Sequence, residues 1–476
     1  MEKVVDVCNA VKKKIVPSLE LKHAVEARAE QIRAAVERHC RDASLLAEVR
    51  LDGSVAKDTW LKDYADVDIF IRVSPQLTKE QLRDVCLPIA RKALRPYKIV
   101  ERFAEHPYVE SVVDFGKSRQ LRVNVVPCYK VERGNWLSAT DRSPYHTEYM
   151  RQRLTEPQRD EVRLLKAFMR SVGSYGADIK TGGFSGMLCE TLIVSRGEFQ
   201  KVVADFMQWP QNGFVDVESY YDGGVEEVHR IFREPLVVID PVDKGRNLAA
   251  AVRQNQLWNF VAACRHFAAK PSPALFFQSK IKPLAPTEYR RLIKDRGSTI
   301  LCLVIGRIDA VVDILWSQLY RTERALVNLL ENNDFKLIRS AAWTDEKSLS
   351  IILFELEQGT LPNSKRHDGP PVSRLKESGS FLERHVRDAS TVSGPWVEDA
   401  EWVVEKRRAI VSARALLMST LRSGGADVGV ARLLANSFKK RLRILEGDSI
   451  RTLIHSNAEF AKAMRAYLSG RPAWLA

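Results

Sequence analysis

The segment Gly53-Ser54-Val55-Ala56-Lys57-Asp58-Thr59-Trp60 leads into Asp66-Val67-Asp68, which opens an apolar run ending near Ser74-Pro75. Residues 66–73 read as a strand. In a strand, positions i and i+2 share a face, so Asp66 and Asp68 project side by side while Val67, Ile69 and Ile71 point into a core. Adjacent carboxylates repel and raise each other's pKa unless a cation lies between them. Mg²⁺ suits such a pair, because it takes carboxylate oxygens together with substrate phosphates. A pair of metal ions held this way would activate an attacking hydroxyl and neutralise a leaving pyrophosphate. A D-x-D pair alone is common in exposed strands. The Gly53-Ser54 turn just upstream makes it informative. Glycine lets backbone N–H groups approach phosphate, the serine hydroxyl adds a donor, and a helix start after the turn adds a favourable dipole. Turn, short helix and paired acids together point to phosphoryl or nucleotidyl transfer.

On either side, alternation of strand and helix patterns continues. Residues 46–52 read as a strand and 18–40 as an amphipathic helix with Val25, Ile32 and Val36 on one face. Residues 78–95 are helical, and strands follow at 108–115 and 121–126, giving a mixed α/β domain that ends near residue 145. Residues 157–270 are mostly helical up to Lys270-Pro271-Ser272-Pro273. A strand at 299–306, a helix at 312–332 and strands near 335–343 and 348–356 predict a ferredoxin-type half with helices on one face. A polar loop covers 359–371, and 396–422 and 428–445 read as two basic helices divided by Ser423-Gly424-Gly425. The fold class expected is α+β, in several domains.

The composition is that of an ordinary globular protein. The chain has 476 residues, 45% of them hydrophobic and 28% charged, too long for a single core. Its net charge of +14 favours a polyanionic partner. The seven cysteines are scattered, with no C-x-x-C pair, which argues against a disulfide framework and a structural zinc site. The charged residues of 1–14 do not fit a signal peptide, and no apolar run approaches a membrane span. The expected setting is the cytoplasm, with no membrane partner.

Six further segments make the motif specific. They are Glu105-His106-Pro107-Tyr108-Val109, Val125-Val126-Pro127-Cys128-Tyr129-Lys130 and Asp141-Arg142-Ser143-Pro144-Tyr145-His146. They continue with Glu161-Val162-Arg163-Leu164-Leu165-Lys166, Gly183-Phe184-Ser185-Gly186 and Asp240-Pro241-Val242-Asp243. With the Gly-Ser turn and acid-x-Asp strand, the chain resembles the DNA polymerase beta-type nucleotidyltransferases, and within them the archaeal, class I CCA-adding enzymes. The resemblance is dense over 45–277 and rests on element order and basic helices beyond. It implies a nucleotidyltransferase head (1–145), a helical nucleotide-binding neck (146–270), a small ferredoxin-like α/β body (271–390) and a helical tRNA-binding tail (391–476). It implies Mg²⁺-dependent addition of C, C and A to tRNA from CTP and ATP, by a homodimer.

Carried over by motif, Asp66 and Asp68 would be metal ligands, and Gly53, Ser54 and Lys57 would contact the triphosphate. Many relatives have Arg at the place of Lys57; Lys keeps the charge but loses the bidentate fork. His146 would be a further nucleotide contact, Lys166 and Tyr175 would join the triphosphate site, and Arg246 would help read the base. The helix 158–172 buries Val162, Leu165, Met169 and Val172, with Arg163, Lys166 and Arg170 as a neighbouring basic stripe.

One position departs from the family pattern. A third metal-ligating carboxylate is expected before Val-Pro-Cys-Tyr, and the chain has Asn124 there. Asn offers a neutral oxygen but neither charge nor a base. Either activity is impaired, or Asp66 and Asp68 suffice, or Asp114 on the neighbouring strand compensates. The alternatives to a CCA-adding enzyme are therefore a poly(A) polymerase-like or oligoadenylate-type transferase, and a catalytically silent tRNA-binding protein. The RNA surface is expected on Lys406, Arg407, Arg408 and Arg414 of one basic helix and Lys439, Lys440, Arg441 and Arg443 of the next. Contacts of this kind read backbone shape, as an enzyme gripping the acceptor stem and adjoining arm of every tRNA requires.

Overall fold

The computed structural model describes all residues except Met1, Pro96, 104–106, 116–118, 211–212, Gly223, Ser279 and Ala476. The motif residues Glu105 and His106 thus lie outside the described residues. The chain divides into two units, Met1–Lys280 with Arg471–Ala476, and Ile281–Gly470.

In the first unit α1 spans Glu2–Ile15 and α2 spans Leu19–Asp42. Ser18 caps α2 by accepting a hydrogen bond from the Leu21 amide at 3.2 Å. Strand β1 (Ala47–Asp52), the single turn α3 (Gly53–Ala56), β2 (Asp66–Val73), α4 (Lys79–Ala93), β3 (Ile99–Phe103), β4 (Pro107–Phe115) and β5 (Arg119–Tyr129) complete the head. The sheet order is β1-β2-β5-β4-β3, with β2 and β5 parallel and the other pairs antiparallel. Val67, Ile69 and Ile71 are fully buried against Val25, Ile32 and Val36 of α2, as the strand period requires. Strand β3 was not legible from the sequence.

The neck is α5 (Ser143–Arg153), α6 (Glu156–Ser171), α7 (Gly186–Arg196), α8 (Phe199–Met207), β6 (Phe214–Val215), α9 (Gly224–Ile231), β7 (Val237–Asp240), β8 (Asp243–Asn247) and α10 (Gln254–Ala269). Its core is a set of phenylalanines around Phe168. Two outlying pieces of chain share this core. Val7, Cys8, Val11 and Ile15 of α1 pack into it rather than into the head core. After residue 470 the chain returns, and the Trp474 indole N–H donates to Asn259 Oδ1 on α10 at 3.0 Å.

The second unit is built on α11 (Pro286–Arg296), β9 (Thr299–Ile305), α12 (Val312–Glu331), β10 (Leu337–Thr344), β11 (Ser350–Leu356), β12 (Ser364–Pro371), α13 (Leu375–Val386), β13 (Thr391–Glu398), β14 (Glu401–Arg407), α14 (Ala413–Arg422), α15 (Arg432–Lys440), β15 (Arg443–Glu446), α16 (Arg451–Ser456) and α17 (Ala458–Ser469). The antiparallel sheet β10-β11-β9-β15 has the full ferredoxin-like order, its last strand lying in the expected tail. Helices cover both of its faces, not one. Leu319 and Leu434 pack on Leu301 and Leu303, while Tyr289 and Phe460 pack on Ile300 and Cys302. All seven residues of β11 are buried, which an apolar run sandwiched between two layers permits.

The expected helix 396–422 is corrected in its first half. Residues 391–407 form the hairpin β13–β14, and polar 364–371 is its third strand, β12. Trp402-Val403-Val404 favours a pleated surface, and Asp399 and Ala400 turn the chain with positive φ of 47° and 67°. Lys406, Arg407 and Arg408 are therefore strand and strand-end residues. Lys406 bonds Asp388 at 2.8 Å and Arg408 is paired with Asp334, so both are partly neutralised. Arg407, Arg414, Lys439, Lys440, Arg441 and Arg443 are exposed, Arg414 on α14, Lys439 and Lys440 on α15, and Arg443 on β15. All seven cysteines are free and buried.

Candidate active site

Register across the head sheet sets Asp52, Asp68, Asn124 and Glu110 opposite one another on β1, β2, β5 and β4. Asp66 lies one step along the same face, on the side of the sheet away from Val67 and Ile69. Burial, then the charge of Asp68, raises the Asp66 carboxyl to about 6. Burial also raises Asp68, opposed by the Asn124 amide, which donates to Asp68 Oδ1 at 2.9 Å. Asp66 Oδ1 and Asn124 Oδ1 are buried without a hydrogen-bond partner. Two carboxylates that resist ionisation side by side, with two orphaned oxygens, are what a hard divalent cation would satisfy, so these residues fit Mg²⁺. Among the described residues no group of three His, Cys, Asp or Glu is arranged to hold a metal. Asp114 does not replace the missing acid. It is exposed, two register steps from Asn124, and accepts from Gln120 Nε2 at 3.2 Å.

Gly53 stands against this pair. Its φ is +74°, and a Cβ there would lie 2.1 Å from Asp68 Oδ2. Gly53→Ala should push the Asp68 carboxylate aside and slow nucleotide incorporation at least about tenfold. Gly134→Ala, which shares a positive φ but has nothing within 4 Å, should cost stability alone. Initial rates and melting midpoints of the two variants separate the effects, and an unimpaired Gly53→Ala enzyme would refute the close fit. Ser54, half-buried, lies in the turn, and the Gly53 N–H donates to Thr147 Oγ1 at 3.3 Å. The helix after the turn is only four residues long, so the expected dipole is slight.

Behind the turn two residues of the expected basic stripe of α6, Arg163 and Lys166, are buried instead, and the third, Arg170, is half-buried. Arg163 is 0% exposed, its Nε donating to the Trp60 carbonyl at 2.9 Å. Lys166 is 2% and Lys57 7% exposed, and both converge on Glu190 of α7. Lys57 Nζ lies 2.5 Å from Glu190 Oε2, and Lys166 Nζ 3.0 Å from Oε1. Thr59 Oγ1 donates to the same Oε1 at 2.6 Å. Tyr175 joins them, since a Cβ added at Gly186 would meet its hydroxyl at 3.3 Å and Lys166 Nζ at 3.6 Å.

A second buried acid gathers the remaining expected residues. His146 Nε2 lies 2.9 Å from Asp240 Oδ1, and Arg246 Nη1 donates to Asp240 Oδ2 at 2.8 Å. Burial opposes ionisation of Asp240, but the hydrogen bond and charge of His146, with Arg246, outweigh it and lower its pKa. The structure thus brings Gly53, Asp66, Asp68 and Asn124 together, Lys57, Lys166 and Tyr175 together, and His146 with Arg246. Glu190 was missed in the sequence. Its signal was a lone acid in the apolar run Met187-Leu188-Cys189-Glu190-Thr191-Leu192-Ile193, since a buried charge needs a partner.

Comparison with known proteins agrees with this geometry. Residues 32–147 match the family described as "Nucleotidyltransferase domain", 160–277 "tRNA nucleotidyltransferase, second domain", and 296–447 "CCA-adding enzyme, C-terminal domain". The chain is 33% identical to the CCA-adding enzyme of Methanopyrus kandleri, over 98% of its own length and 97% of that protein. The chain belongs to the CCA-adding enzymes. As a CCA-adding enzyme it is a tRNA nucleotidyltransferase that works without a nucleic-acid template, and the comparisons favour neither rival reading. Identity to the CCA-adding enzyme of Methanosarcina barkeri is 36%, over 79% of this chain and 80% of that one. A solved structure of the uridylyl transferase Cid1 aligns over 59% of this chain and 99% of its own, with TM-score 0.45 and 14% identity. No helix of the described residues is long and apolar enough to cross a membrane.

Proposed function

We propose that this CCA-adding enzyme attaches CMP, CMP and then AMP to the 3′ end of tRNA, taking CTP and ATP and releasing pyrophosphate, with Asp66, Asp68 and Asn124 holding Mg²⁺. The observation that carries the site assignment is the pair Asp66–Asp68, side by side on β2 with Gly53 against Asp68, where Asp66 Oδ1 and Asn124 Oδ1 are buried without a hydrogen-bond partner. Bound Mg²⁺ would supply charge neutralisation for the attacking 3′ hydroxyl and the leaving pyrophosphate. The chain's own groups do the rest. The Gly53-Ser54 turn, Lys57, Lys166 and Tyr175 bind the triphosphate, which accounts for buried ammonium groups next to the metal face. His146 and Arg246, fixed by Asp240, face the nucleotide base. Asn124 orients Asp68 through its amide. The exposed Arg407, Arg414, Lys439, Lys440, Arg441 and Arg443, with Lys406 and Arg408 beside them, grip the acceptor stem and adjoining arm of tRNA. A homodimer in the cytoplasm belongs to the same proposal, and the free cysteines accord with a reducing compartment.

Extension of a tRNA ending at its discriminator base tests this. CTP alone should add a pair of residues, ATP alone none, and both together should complete the CCA end. A ladder of A from ATP alone would instead indicate a poly(A) polymerase-like transferase. Tight tRNA binding without incorporation at any Mg²⁺ concentration would indicate a silent binder.

A further inference from the structure

We propose that Glu190 is the positioning residue of the triphosphate subsite: its buried carboxylate holds the Lys57 and Lys166 ammonium groups side by side, and thereby sets the affinity for both nucleotides. This rests on the assignment of Lys57 and Lys166 to the triphosphate.

One carboxylate serves two ammonium groups here. Glu190 Oε2 takes Lys57 at 2.5 Å, and Oε1 takes Lys166 at 3.0 Å and the Thr59 hydroxyl at 2.6 Å. Lys166 is further fixed by the Thr59 carbonyl at 3.2 Å and Thr59 Oγ1 at 3.0 Å. Three elements therefore meet on one acid: the turn leaving α3, helix α6 and helix α7. The cluster keeps a surplus of one positive charge in a buried place. A surplus of that kind is costly unless an anion arrives, and a triphosphate is such an anion. Two lysines this close would repel without the carboxylate between them. The other groups around Lys166 are Cys189, whose thiol burial pushes up to about 12, and Tyr175, whose hydroxyl burial also raises. Neither supplies negative charge near neutral pH. Burial, and secondarily Lys57, push Lys166 down, with Glu190 opposing them. Burial works against Glu190 itself, but Lys166 and Lys57 hold it down at about 2, so it stays ionised. Glu190 is thus the one acid in the cluster that keeps Lys166 protonated.

Glu190→Gln keeps shape and one acceptor oxygen but removes the charge. The variant should show KM for CTP and for ATP raised about tenfold or more at the alkaline end of the enzyme's working pH range, falling back toward the parent as pH is lowered and Lys166 regains its proton. The parent's KM should change less than about threefold over that range, and kcat of the variant should stay within about threefold. Glu190→Asp should lie between the two, which guards against a folding defect in the glutamine form. Lys166→Ala is the companion variant. If Lys166→Ala raises both KM values while Glu190→Gln has parental, pH-independent KM values, Glu190 is a structural ion pair only and the proposal is overturned. If Lys166→Ala leaves both KM values unchanged, the assignment of Lys166 itself has failed, and this inference falls with it. A rise confined to one nucleotide also overturns it, because phosphate contacts are blind to the base.

Discussion

Asp68→Ala should abolish nucleotide incorporation, by at least about a thousandfold, equivalent to roughly 4 kcal/mol of transition-state stabilisation. Asp68 sits at the centre of the site, opposite Asn124 on β5, beside Asp66 and against the Gly53 backbone. The substitution removes one of two carboxylates available to a cation, and Asn124 cannot replace it because its oxygen is neutral. Folding should not suffer. Burial already raises the pKa of Asp68, so the native state gains little from its charge, and the melting midpoint should be unchanged or higher. The tRNA dissociation constant should stay within about twofold, because the side chains proposed to grip the tRNA phosphates are other residues. Single-turnover incorporation of labelled CMP, with filter binding of the same tRNA, measures both. Normal incorporation by the variant would sink the assignment of the metal face.

Asn124→Asp should raise turnover about a hundredfold at saturating Mg²⁺, the scale on which an added metal-ligating charge acts. In the parent, Asn124 donates to Asp68 Oδ1 at 2.9 Å while its own Oδ1 is buried without a partner. The aspartate would lose that donor and place a third carboxylate opposite Asp68 and next to Asp66, itself already raised to about 6. Without a cation these charges repel, so the variant should melt lower than the parent in EDTA. With Mg²⁺ it should recover and gain more in melting midpoint than the parent does, since a ligand that binds only the native state stabilises it. Equal turnover of both chains would show that the two native aspartates suffice.

The acids were legible in the sequence because a strand has period two and its core face, Val67, Ile69 and Ile71, was unmistakable. Lys57, Lys166 and Tyr175 were legible as members of a site only through resemblance. What escaped was what they touch. Arg163 and Lys166 recur on α6 as a surface stripe would, and only the fold shows α7 delivering Glu190 onto that stripe. Asp240 stood in a recognised motif, yet its partners His146 and Arg246 come from α5 and β8. Local strength also misled. The basic residues near 406 suggested a helix, but Trp402, Val403 and Val404 pair in a hairpin whose third strand, β12, is polar. Four-residue β15 was read as the end of a helix because its place beside β9 is a pairing distant in sequence.

The return of Trp474 to α10 makes the neck a structure written in two separated passages of the chain. All of Ile281–Gly470 lies between them. During synthesis, the first 280 residues emerge without the segment that closes over Asn259 and His266. Closing so long a loop adds only logarithmically to the entropic cost, so the late contact is thermodynamically easy. Its timing is another matter. The neck can reach its final packing only after the second unit has been made, which ties completion of one half of the molecule to the synthesis of the other.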